Sequence, residues 1–221
     1  MLKLYSFIAS VFFISSLSFT SCLTPKKMDA YVASQFNNEL PKPDKRTDSS
    51  ISVTSPPSDP HIISVTERKS KDLPLIVYWK YDYRHTCVLN PAIGVSYFRK
   101  SIYQQSNKLK QKLNGKQLEL TVEQIPRSFA IVDKGHLVLL LIHWHKLYVE
   151  TDSKDVIVAY RVLQNGSEVK SGRITVNNIE RNRGIRFAQS WQSSSSEFLS
   201  AYNVDMTEMT KTVVNKLLPE L

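Results

Sequence analysis

Residues 73–221 are predicted to form an α+β domain: an antiparallel sheet of about four to six strands with two helices packed on one face. Three observations carry that prediction. Leu118, Leu120 and Val122 alternate with Glu119, Thr121 and Glu123, which is the period of a half-buried strand. Asn165-Gly166 stands between two strand-like runs, where a tight hairpin turn belongs. Phe198, Tyr202, Met206, Met209, Val213 and Leu217 recur every three or four residues and so share one face of a closing helix.

The elements follow in chain order. "LPLIVYWKY", Leu73 to Tyr81, is β-branched and aromatic and reads as a strand. "DYRHTCVLNPAIG" reads as a loop. Phe98, Ile102, Leu109 and Leu113 fall at helical spacing, with Ser96 as the N-cap and Asn114-Gly115 as the stop. The other face of that helix carries Arg99, Lys100, Lys108, Lys110 and Lys112. "KQLELTVEQI" is a strand interrupted by Pro126, and "RSFAIV" continues it after a bend. "DKG" at 133–135 is a turn signal. "HLVLLLIHWHKLYVE" is apolar on both faces and reads as one long central strand. "DVIVAYRVL" and "EVKSGRITV" form the hairpin around Asn165-Gly166. Both helices need an apolar surface, and a meander sheet offers one.

The first 72 residues read differently. Met1 and Lys3 precede an uncharged stretch, Leu4 to Phe19, followed by small residues. That order is a secretory signal peptide over residues 1–21. The run is shorter than a membrane span requires, and serines interrupt it. Residues 22–72 hold six prolines (Pro25, Pro41, Pro43, Pro56, Pro57 and Pro60) and few apolar side chains, so they are expected to form a mostly disordered tether. Residues 28–40 read as one short helix within it. A random chain of that length has a reach of about 40 Å.

"SFTSC", with Thr20, Ser21 and Cys22, resembles the lipobox of bacterial lipoproteins, although Phe19 stands where that motif usually has leucine. The resemblance implies that Cys22 becomes the acylated first residue, the thiol accepting diacylglycerol. Two or more acyl chains anchor a protein stably. Cys87 is then the one cysteine left, so no intramolecular disulfide can form. "CLTPKK" has no acidic cluster after the cysteine, which leans towards a periplasm-facing protein.

Several constellations were weighed for chemistry. His143 and His145 point to the same side of a strand, as metal ligands would, but spacing supplies no third ligand, and the plainer reading is two histidines near a sheet end. His85 lies two residues before Cys87; catalytic Cys–His pairs are usually distant in sequence, so Cys87 reads as a small core residue. No Gly-x-Ser-x-Gly turn is present. No catalytic residue, metal or cofactor is expected. Arg181, Arg183 and Arg186 concentrate in "ERNRGIRF", close to Trp191. They are candidate contacts for an anion or a partner. Trp191 would either anchor that partner or cover the edge of the core. The net charge is +9, one less without Lys3, which suits phospholipid headgroups, lipopolysaccharide phosphates or an acidic protein, or describes a solvated surface with no partner. A periplasmic address argues against nucleic acid.

The order of elements, a lipidated cysteine and tether before a small α+β domain, resembles small lipoproteins that assist envelope transport. These include the lipopolysaccharide-assembly lipoprotein and the auxiliary lipoproteins of ABC-type lipid transporters. No motif carries this likeness, so no site residue is transferred. It implies a membrane-anchored, non-enzymatic accessory or scaffold in cell-envelope biogenesis or transport. The alternative is a lipid- or ligand-binding module with a pocket between sheet and helices.

Overall fold

Two short strand patterns in the proline-rich stretch, missed by periodicity, join the domain. The computed structural model describes residues 23–36, 49–56, 61–73, 78–138, 141–179, 182–186 and 189–221. In chain order the elements are helix α1 (Pro25–Gln35), strands β1 (Ile51–Thr54), β2 (Ile63–Leu73) and β3 (Tyr78–Val88), and helices α2 (Pro91–Gln104) and α3 (Ser106–Leu113). Strands β4 (Gln117–Gln124), β5 (Ser128–Val138), β6 (Leu141–Thr151), β7 (Val156–Gln164), β8 (Ser167–Val176) and β9 (Arg183–Gly184) come next. Helix α4 (Trp191–Leu217) and a 3₁₀ turn (Leu218–Glu220) close the chain.

The class is α+β, but the strands divide into two sheets rather than one. One is ordered β1-β4-β7-β8 and the other β2-β3-β5-β6-β9. β1 runs parallel to β4, pairing Ile51 with Leu118 and Val53 with Leu120, so the first sheet is mixed. Four helices are described rather than two. The predicted helix over residues 96–113 begins earlier, at Pro91. The Asn90 side chain accepts from the Ala92 N–H at 2.9 Å and supplies the cap expected of Ser96. It also breaks at Gln105, between α2 and α3. Asn114, in the left-handed region at φ 47°, provides the expected stop.

The first sheet buries the side chains that its alternation promised. Leu118, Leu120, Val122, Val156, Val158, Tyr160, Val162, Ile174 and Val176 are all in the core. Its hairpin turns at Asn165 (φ 52°) and Gly166 (φ 80°), the two positive φ angles that a type I′ turn needs. Helix α4 packs on α2, and the Tyr202 hydroxyl donates to the Pro126 carbonyl at 2.7 Å, pinning the β4–β5 bend.

The second sheet corrects three local readings. "DYRHTCV" is strand, not loop: it forms β3 between β2 and β5. Asp133–Gly135 is not a turn but the middle of β5, paired on both sides. Gly135 is there because backbone and ring come close. A Cβ on it would lie 2.8 Å from the Tyr81 hydroxyl and 2.8 Å from the Trp144 carbonyl. His136–Val138 therefore end β5, and the predicted single strand over 136–150 is split between β5 and β6.

Part of the expected tether belongs to the body. Leu23, Met28 and Val32 are 1%, 0% and 0% exposed and share one core with Phe98, Phe129 and Met206. Tyr31 meets Trp191 edge to face with centroids 5.3 Å apart, and its hydroxyl donates to the Gln192 carbonyl at 3.0 Å. Residues 51–54 and 63–73 are strands. α1 and β1 bury two side chains each, and β2 buries Ser64 alone, too few for periodicity to register. Residues 1–21 and Cys22 lie outside the described residues.

Candidate functional site

Strands β2, β3, β5 and β6 hold 11 residues each, longer than the core beneath them. At their base Cys87, Phe129, Ile131 and Val149 are buried, with α1 packed on β2 and β3. Beyond that base the strands continue as an antiparallel arm. From Glu67 to Leu73 every residue of β2 is exposed.

Strand alternation sorts the arm into two faces. One face carries Trp79, Tyr81, Tyr83, His85 and Cys87 from β3. Opposite them in register stand Thr66 and Arg68 of β2, Asp133 and Gly135 of β5, and beyond Gly135, His145 of β6. The rings of Trp79, Tyr81 and Tyr83 form a ladder with centroid spacings of 5.0 and 5.3 Å. Arg68 lies 5.9 Å from the Tyr83 ring centroid, within cation–π range.

A polar network occupies the boundary between core and arm. Asp133 is 6% exposed and accepts from His145 Nε2 at 3.0 Å. That hydrogen bond raises the pKa of His145 above its ordinary value. Tyr81 is held well above the usual phenol range, first by burial, then by the Asp133 charge. His85, 2% exposed, shares a 2.8 Å hydrogen bond between Nδ1 and Thr66 Oγ1. Burial lowers its pKa, and the Arg68 charge lowers it further; Asp133 opposes both.

The other face is laid out differently. Tyr78, His136 and Trp144 stack across β3, β5 and β6 at centroid distances of 6.2 and 6.1 Å. Trp144 is 44% exposed. Below this row Arg84 makes a bidentate pair with Glu150 at 3.1 and 2.8 Å, and Lys134 pairs with Asp82 at 3.1 Å.

The residues singled out by sequence are distributed as follows. Cys87 is buried, and burial pushes its thiol up to about 12, which favours the protonated form at neutral pH. His85, on the same face, is engaged by Thr66 rather than by the thiol. His145 is bound to Asp133, and the side chain of His143 lies outside the described residues. Among the described residues no group of three metal-ligating side chains comes together. Arg183 sits in β9 against β6, and Arg186 follows it, exposed, outside any helix or strand. Arg181 lies outside the described residues. Trp191 is half-buried against Tyr31 and packs on the edge of the core. Sequence reasoning missed Tyr81, Asp133, His145 and Trp144 as a group. The alternation of Trp79, Tyr81 and Tyr83 was the available signal.

A cleft of about 340 Å³ lies elsewhere, between β4 and the start of α2. Pro91, Val95, Val122, Glu123, Arg127 and Lys154 line it. Among the described residues no helix is long and apolar enough to cross a membrane. No family model, curated protein or solved structure matches this chain.

Proposed function

We propose that this protein is a periplasm-facing lipoprotein, moored through Cys22, whose folded body acts as a non-enzymatic accessory or scaffold in cell-envelope biogenesis or transport. The observation that supports this best is the arm. Its two faces present aromatic rings with polar tips, and exposed aromatic and apolar groups on a rigid sheet are what protein docking uses. The envelope setting rests on the signal peptide and the lipobox-like "SFTSC".

Two measurements test it separately. Metabolic labelling with an alkyne fatty acid should mark the wild-type chain and not Cys22→Ser; equal labelling would remove the anchor. Gentle detergent extraction should then recover a stoichiometric envelope protein with the wild type, and less of it with Trp144→Ala. Undiminished recovery with Trp144→Ala would remove the docking role of that face. The reading as a lipid- or ligand-binding module draws support from the 340 Å³ cleft, which is within the size range of small-molecule sites. Native mass spectrometry of the protein should show a bound amphiphile under that reading alone.

A further inference from the structure

An open sheet edge presents unpaired N–H and C=O groups and is a template for another strand. Among the described residues the second sheet is bounded by β2 on one side and by β9 on the other. β9 is two residues long, whereas β2 has 11. Of the six large exposed apolar residues among those described, three lie on β2: Ile63 at 44%, Val65 at 53% and Leu73 at 43%.

The charges on β2 are also unspent. The first sheet has an exposed edge too, β8, but its charged residues are paired within the chain. Glu168 meets Arg161, Lys170 meets Glu220, and Arg173 meets Glu123. On β2, by contrast, Glu67, Lys69 and Lys71 make no ion pair among the described residues: Arg84 and Asp82, in register with Glu67 and Lys69, are engaged by Glu150 and Lys134. Lys71 stands in register with Lys80 of β3, a like-charge neighbour that repels it. Lysines on an edge ordinarily blunt it. β2 itself also carries a counter-charge for these lysines, Glu67.

We infer that β2 is a self-pairing edge: two copies of this chain join β2 to β2, antiparallel and centred on Lys69, so that their second sheets become one. In this register Val65 faces Leu73 of the second copy, and Glu67 faces Lys71. Each contact occurs twice by symmetry. Glu67 of one copy supplies Lys71 of the other with the carboxylate that Lys80 denies it. On the opposite face Thr66 meets Asp72, and Arg68 meets Ser70. The two Lys69 side chains meet at the axis, and each has Asp82 of its own β3 beside it in register, so the row of charges alternates at its ends. Every such register sets one residue against itself, but centring one residue earlier would also set Val65 against Lys71, and one later would set Glu67 against Leu73.

The register gives a sharp test on the full chain in mild detergent. Directly opposed residues of antiparallel strands have Cα atoms about 4.5–5.5 Å apart, inside disulfide range. Lys69→Cys should give a covalent dimer under gentle oxidation. Lys80→Cys, on the inner strand β3, should not. Both variants carry Cys22→Ser, and the remaining native cysteine, Cys87, is buried and adds no background. Light scattering should show a dimer for the wild type, and Val65→Lys should weaken it about tenfold by replacing both Val65–Leu73 contacts. Val65 is more than half exposed, so this variant keeps its fold. A monomer at all concentrations, equal cross-linking at Lys69→Cys and Lys80→Cys, cross-linking at Arg68→Cys in preference to Lys69→Cys, or a different protein held on this edge with the chain itself monomeric would each overturn the proposal.

Discussion

Met28→Ala separates a chain whose body begins at Leu23 from one that begins after a disordered tether. Met28 is 0% exposed and shares its core with Leu23 and Val32. The substitution removes three heavy atoms beyond Cβ. At about 0.8 kcal/mol per buried methylene-sized group, the lost transfer energy is about 2.4 kcal/mol. A remaining void of roughly 60 Å³, at about 24 cal/mol per Å³, adds about 1.4 kcal/mol. The expected loss is therefore about 3–4 kcal/mol, in the range typical of Met→Ala in cores. Urea unfolding of the chain carrying Cys22→Ser reads it directly. With a slope of about 2 kcal/mol per molar, the midpoint should fall by about 1.5–2 M at unchanged slope. Val204→Ala is the control, because Val204 is 61% exposed and should change stability by less than about 0.5 kcal/mol. A Met28→Ala midpoint no lower than that of the control would show that α1 contributes nothing to the core, and the tether reading would return.

The boundary network and the strands beside it make four further predictions. His85 has a lowered pKa in the folded state, so its contribution is full above about pH 6.5 and falls as pH drops towards the folded value; His85→Asn should lessen the loss of stability between about pH 7.5 and 5. His145 has a raised pKa, so its contribution is full below about pH 6.5 and is lost as pH rises through the folded value. His145→Asn should thus destabilise more at about pH 5.5 than at pH 8, by under ~1 kcal/mol because the imidazole is half exposed, and a reversed pH trend in thermal melts would contradict the hydrogen bond to Asp133. Gly135→Ala should cost about 1–3 kcal/mol in urea unfolding, since the new methyl meets Tyr81 and the β6 backbone; a neutral result would mean that the two strands spread freely. Cys87 should resist a disulfide reagent at about pH 8 until the protein unfolds, and rapid labelling of the native state would contradict its burial.

Local rules made some of this fold legible. Asn114 and Asn165-Gly166 were readable because positive φ is a property of single residues, and their chemistry announces it. β4 and α4 were readable because each lays a full apolar stripe on one core. β3 was not, because its polar members are satisfied at a distance. Thr66, 19 residues away, accommodates His85, and Glu150, 66 residues away, accommodates Arg84. Alternation scored on polarity sees "DYRH" as a loop when those partners are unknown. "DKG" misled for a related reason: Gly135 is needed for the Tyr81 ring and not for a turn. The candidate site was illegible as a unit, since its members come from four strands and only register brings them together. Mooring at Cys22 remained a reading of "SFTSC" alone.

The packing of α1 changes what an anchor at Cys22 would do. A free tether of 50 residues would let the body wander over about 40 Å. With Leu23 in the core, one peptide bond separates the proposed acyl attachment from the folded body. α1 packs on β2 and β3, the same strands that continue into the arm. The eight steps along β3 from Cys87 at the base to Trp79 rise about 27 Å at ~3.4 Å per residue. An anchor at Cys22 would thus be tied with the arm to one core, and the direction of the arm relative to a membrane would be set by the fold and not by a flexible linker. A fixed offset concentrates the docking surface at one height and limits the partners it can meet, which a loose tether cannot do. The proposed self-pairing of β2 would strengthen that restriction, because two anchors on one continuous sheet would leave the assembly still fewer ways to turn.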